Sequence, residues 1–166
     1  MKQKIWFILV LLIIVAAIGG VLTFKRVTAL YFENMDRPRA VRIWISPSDQ
    51  FSIFYFHSVY NEPASEEFQV DRGTIVLKGV RTKSPGILEF YGFDDMKSFH
   101  PMNQRWGAVF FKVEAGEGQG LIIRDKKIYF SELGEKGDRI QLRAMFVPLG
   151  YYLLSVVYEN LQRIVT

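Results

Sequence analysis

Residues 5–24 carry no charge, and beyond them the chain changes to short runs in which apolar and polar positions alternate. At about 1.5 Å per residue, twenty helical residues extend about 30 Å, the thickness of a bilayer's hydrocarbon core. Trp6 and Phe24 stand near the two ends, where aromatic rings favour the membrane interface. Further on, Val41-Arg42-Ile43-Trp44-Ile45 alternates strictly. Phe51-Ser52-Ile53-Phe54-Tyr55-Phe56-His57 is apolar on both faces at its centre, as an interior strand is. Residues 66–70 and 74–81 read as a hairpin closed by Asp71-Arg72-Gly73, and residues 120–124 and 127–130 as a second one. Strands are also expected over 107–113 and 140–146. Near the end the period changes: Leu153, Val156, Val157, Leu161 and Ile164 recur at helical spacing.

The pattern predicts a mainly β protein. An N-terminal transmembrane helix is followed by an antiparallel β-sandwich or barrel-like domain of about eight strands, with a short amphipathic C-terminal helix against the sheet or near the membrane. Residues 1–26 read as an uncleaved signal-anchor, 27–39 as a juxtamembrane connector and 40–166 as the β domain. Ala17-Ile18-Gly19 would serve as a signal-peptide cleavage site, but the apolar run continues past it to Phe24, which favours a retained anchor. A short basic N-terminus ahead of a first apolar segment usually stays in the cytoplasm, so the domain is expected outside it, on the cell membrane.

Charge changes this picture little. The net charge is +4, but Lys2, Lys4, Lys25 and Arg26 flank the apolar run, and the remaining 17 basic residues balance 17 acids. The basic excess is a membrane-flank feature, and no nucleic-acid partner is expected. The chain has no cysteine, which removes disulfides, thiol catalysis and cysteine-ligated metals.

Candidate chemistry concentrates in two polar knots. The first holds His57, Ser58, Glu62, Glu66 and Glu67; the second holds Arg81, Thr82, Lys83 and Ser84, followed by Pro85-Gly86. A meander of strands would bring them to one end of a sheet. A hydrolase set is disfavoured, because neighbouring strand residues such as His57 and Ser58 point to opposite faces and no Gly-x-Ser-x-Gly elbow occurs. His57 and His100 lack the close spacing of metal ligands. A surface that binds a partner or a small anion uses His57, Ser58, Glu66, Glu67, Arg81, Lys83 and Ser84; the plainer alternative has His57 and Ser58 bonding turn backbone. The Gly116-Glu117-Gly118-Gln119-Gly120 stretch lacks the Gly-Lys-Ser/Thr ending of a phosphate loop.

The order strand, His57-Ser58-Val59, Pro63, Glu66-Glu67-Phe68 and Thr82-Lys83-Ser84-Pro85-Gly86 resembles a bacterial family of small proteins that begin with a hydrophobic segment, catalogued as domain of unknown function eighteen-fifty. The resemblance covers residues 41–86 and implies a non-enzymatic accessory protein, since genes of that family lie beside those of TRAP-type solute transporters of the TAXI class. The matching positions are His57, Ser58, Pro63, Glu66, Glu67, Lys83 and Ser84. Thr82 and Pro85-Gly86-Ile87 depart from the pattern around the Lys-Ser turn. The expectation is therefore an extracytoplasmic accessory domain without cofactor or catalytic residues, partnered by a TRAP-type permease or solute-binding protein. A cell-envelope structural or stress protein is the alternative, followed by a metal-dependent hydrolase.

Overall fold

The structure, a computed structural model, describes residues 2–46 and 48–165, with side chains described over 3–46 and 48–158. Leu161 and Ile164 of the expected C-terminal stripe lie outside the described side chains. Two compact units emerge, one of residues 29–145 and one combining residues 1–28 with 146–166.

In the second of these, the uncharged run forms α1 (Lys2–Phe24). Its large apolar side chains from Ile5 to Phe24 are exposed on every side, save Val10 and Leu22, which are half-buried. An exposed helix that is apolar on every side fits a lipid environment rather than water. It is long and apolar enough to cross a membrane. The tail forms α3 (Leu149–Val165). The Leu149 amide donates to the Lys25 carbonyl at 2.8 Å, joining the start of α3 to the end of α1.

The other unit is built from two antiparallel sheets. Four strands, β1 (Arg26–Asn34), β2 (Arg39–Ile45), β7 (Val109–Lys112) and β10 (Arg139–Pro148), lie in the order β2-β1-β10-β7. Six more are β3 (Gln50–Phe56), β4 (Pro63–Asp71), β5 (Thr74–Thr82), β6 (His100–Trp106), β8 (Gly120–Ile123) and β9 (Lys126–Tyr129), in the order β6-β5-β4-β3-β8-β9. A short helix, α2 (Pro85–Phe90), interrupts the path from β5 to β6.

The described strands number ten where alternation predicts about eight. One addition is β1, formed by the Arg26–Asn34 segment that reads as a connector. The other is β6, whose sequence His-Pro-Met-Asn-Gln-Arg-Trp holds few strand-favouring residues and is drawn into the sheet by pairing with β5.

The apolar face of each sheet meets a shared core that includes Leu30, Phe32, Phe51, Ile53, Phe68, Leu77, Phe130 and Leu142. Phe32, Phe68 and Phe130 are fully buried, each worth about 1.5–3 kcal/mol of apolar burial. Strand β3 is apolar on both faces because it is central, between β4 and β8. Phe51 stacks on Phe68 inside the sandwich, while Phe54 on the other face meets Tyr129 and lies beneath the Lys127 ammonium.

Turn chemistry fixes the register. Arg72 and Gly73 both adopt positive φ, +50° and +77°, the geometry of a two-residue hairpin between β4 and β5. Opposite the junction of Glu67 and Phe68, β5 bulges, so that Gly79 pairs with Glu67 while Leu77 pairs with Phe68. A Cβ on Gly79 would fall 2.3 Å from the Phe99 ring and 2.7 Å from the His100 carbonyl. Glycine is thus required where β6 closes over the bulge.

Candidate functional site

The two polar knots meet at one end of the six-stranded sheet. Strands β3, β4 and β5 form a meander in which Phe56 pairs with Pro63 and Ala64 with Thr82. The loop after β3 closes on itself: the His57 amide donates to the Glu62 carbonyl at 2.9 Å, and the Asn61 amide to the His57 carbonyl at 2.7 Å. Asn61 takes a positive φ of +50° to complete it, a conformation asparagine tolerates better than most residues. The Thr82 hydroxyl then donates to the Pro63 carbonyl and accepts the Ser84 amide, at 2.9 and 3.1 Å.

Glu66 and Glu67, neighbours in sequence, do entirely different work. Glu66 pairs with Ile53 and Val80, whose side chains are buried, so its carboxylate lies on the inward face. Glu67 pairs with Ser52 and Gly79 on the outward face and accepts the Arg81 guanidinium at 2.5 Å. Arg81 is further held over the Phe99 ring at 4.7 Å. An open groove of about 390 Å³ crosses this outer face past Ser52, Glu67, Arg81 and Arg124. Its two arginines are already paired, Arg81 with Glu67 and Arg124 with Asp49.

On the inward face Glu66 meets two phenols. Tyr55, two pairs along on β3 and so on the same face, donates to its Oε1 at 3.2 Å, and Tyr91, which ends α2, donates to the same oxygen. The two hydroxyls lie 2.9 Å apart. Burial raises the Glu66 carboxyl above the usual carboxylate range, against the opposing pull of both phenols. Burial first, and then the Glu66 charge, push both tyrosines upward. The cluster pins α2 to the sheet through a partly desolvated carboxyl group.

Above it, rings gather around His57. Tyr60 lies 5.1 Å and Phe90 5.2 Å from the imidazole, and Phe90 in turn meets Tyr91 edge-on at 5.4 Å. His57 Nδ1 accepts the Val59 amide at 3.3 Å. Gly86 admits the Tyr60 ring, which would lie 2.4 Å from a Cβ there. In this cluster Val59, Tyr60 and Phe90 are exposed, Val59 by 77% and Phe90 by 67%, while Phe56, also exposed, lies on the opposite face of β3 beside Gly118. Ser58 and Lys83 are also exposed, whereas Ser84 is buried.

The seven predicted residues therefore divide three ways. His57, Ser58 and Lys83 border the exposed aromatic end. Glu67 and Arg81 form an ion pair on the outer face. Glu66 and Ser84 are turned inward. The residues that complete the site, Tyr55, Tyr60, Phe90 and Tyr91, were not singled out from the sequence. The available signal was Ser84-Pro85, an N-cap candidate followed by proline at the first helical position.

His100 belongs to a separate arrangement on β6. It is buried, stacks on Phe93 at 4.2 Å and contacts Asp95 through Nε2 at 2.6 Å. The Lys97 ammonium and amide, and then His100, hold the Asp95 carboxyl well below the usual range. Among the described residues no group of three His, Cys, Asp or Glu side chains is gathered as metal ligands would be.

Comparison with protein-family models, with curated proteins and with solved structures finds no match for this chain. The fold and the geometry of this end of the sheet carry the functional reading.

Proposed function

We propose that this chain is a non-enzymatic, membrane-anchored accessory protein whose β domain, held outside the cytoplasm, binds a protein partner through the His57–Phe90 end of the six-stranded sheet. One observation carries the reading: Val59, Tyr60 and Phe90 are exposed around His57, with Ser58 and Lys83 also exposed, on a loop and helix that internal hydrogen bonds hold in place. Large apolar side chains grouped at one exposed site cost solvation, and a rigid aromatic patch with a polar rim is the usual composition of a protein interface.

The resemblance to the domain-of-unknown-function eighteen-fifty family supplies the partner, a TRAP-type permease of the TAXI class or its solute-binding protein. The test is affinity purification of the full-length chain, tagged at Thr166, from gently solubilised native membranes. Co-purification of a TRAP component, lost with Val59→Asp, supports the reading. Recovery of cell-wall enzymes alone favours an envelope structural role.

A further inference from the structure

We propose that the first turns of α3 lie in the lipid interface beside α1, so that the chain holds the membrane with two elements rather than one. The inference deepens the anchoring reading and rests on α1 being a membrane span.

The exposed side chains of α3 are the apolar ones. Tyr151, Leu153, Leu154, Val157 and Tyr158 are each between 45% and 73% exposed, while Tyr152, Ser155 and Val156 are less so. At about 100° per residue the five exposed positions occupy a continuous arc of about 160°. An apolar face of that breadth that stays exposed is not oriented by burial in a protein core.

Its contact with α1 says what covers that face. Gly150 falls within the same arc and packs on α1: a Cβ there would lie 3.3 Å from the Leu22 carbonyl and 3.4 Å from the Leu22 Cβ. With the bond from the Leu149 amide to the Lys25 carbonyl, this fixes the first turn of α3 at the level of Leu22, still inside the uncharged run. The side of α3 that touches α1 continues into the exposed arc, so lipid around α1 reaches Leu153, Leu154 and Val157. Tyr151 and Tyr158 flank them as aromatic residues do at the level of the headgroups. Residues 149–158 are uncharged but number only ten, about 15 Å of helix, which places them in the interface rather than across the bilayer.

The chain has no cysteine, so one introduced thiol carries one spin label. Full-length protein in phosphatidylcholine nanodiscs is labelled at Leu154→Cys, at Leu12→Cys in α1 and at Glu114→Cys on the β domain. Collision with oxygen, which concentrates in lipid, is compared with collision with a water-soluble nickel chelate. The Leu154→Cys label is expected to follow the Leu12→Cys label, with an oxygen-to-nickel ratio several-fold above that at Glu114→Cys. A lipid signal at Leu12→Cys with a water signal at Leu154→Cys, or with neither reagent reaching it, overturns the interfacial placement and leaves the anchor intact. A water signal at Leu12→Cys overturns the span itself.

Discussion

The Tyr91 hydroxyl, on the residue that ends α2, donates to Glu66 on the inward face of β4, across 25 residues of chain. The bond makes one partly buried carboxyl the fastening between the helix and the sheet. Tyr91→Phe removes the hydroxyl while keeping the ring, leaving Glu66 with Tyr55 alone. A loss of about 1–3 kcal/mol in unfolding free energy is expected, read by chemical denaturation.

The same carboxyl gives a pH signature. Burial raises the Glu66 pKa above its ordinary value of 4.5. Between that value and the raised one, the folded chain keeps a proton that the unfolded chain has lost. Stability from this group is therefore complete below pH 4.5 and falls as pH rises through the folded pKa. Glu66→Gln has no proton to lose, so its melting temperature should decline less than the wild-type value between pH 4.5 and 7. Parallel curves for the two proteins would show that the carboxyl titrates normally.

Asp36 acts with the opposite sign. The side-chain and backbone hydrogen bonds of Arg139 lower its pKa from 3.8 to about 2. Its contribution is present above pH 3.8 and is lost as pH falls toward 2. In thermal scans at decreasing pH, Asp36→Asn should show a shallower acid limb than the wild type.

Gly79→Ala tests the bulge in β5. The added methyl meets the His100 backbone carbonyl as well as the Phe99 ring, and a backbone atom cannot turn aside. A destabilisation of about 1–3 kcal/mol is expected, as for other overpacked sites. For Gly86→Ala the three atoms nearest the added methyl all belong to the Tyr60 ring, a side chain that can rotate outward. Its melting temperature should stay near wild type while partner capture falls.

His57 separates binding from architecture. Its ring is partly exposed between Tyr60 and Phe90, and the imidazole accepts a 3.3 Å hydrogen bond from the Val59 amide. His57→Ala should lower partner affinity with little change in melting temperature. A large thermal loss with unchanged capture would assign the histidine to the loop's own structure.

Much of the β architecture was legible because local signals agreed. The Asp71-Arg72-Gly73 turn, the two-sided apolar centre of β3 and the hairpin of β8 and β9 each state their conformation within a few residues. The meeting of the two knots followed from the meander. Less legible was whatever depended on distant partners. Helix α2 has six residues, too few for a helical period to emerge. Tyr91 matters only because the fold brings it to Glu66, and β6 gains its strand from β5 rather than from its own composition. Adjacent Glu66 and Glu67 read as one acidic pair, yet the period of two already assigns them to opposite faces.

Recognition of a transporter component by the exposed end of the sheet, the proposed function, can be read by photo-crosslinking in native membranes. p-Benzoylphenylalanine is placed at Val59, on the loop, or at Ile122, on the outer face of the same sheet, in the full-length chain. An adduct with a TRAP-type permease or solute-binding protein is expected from Val59 and none from Ile122. Equal adducts from both positions, or no transport component at Val59, would contradict that function.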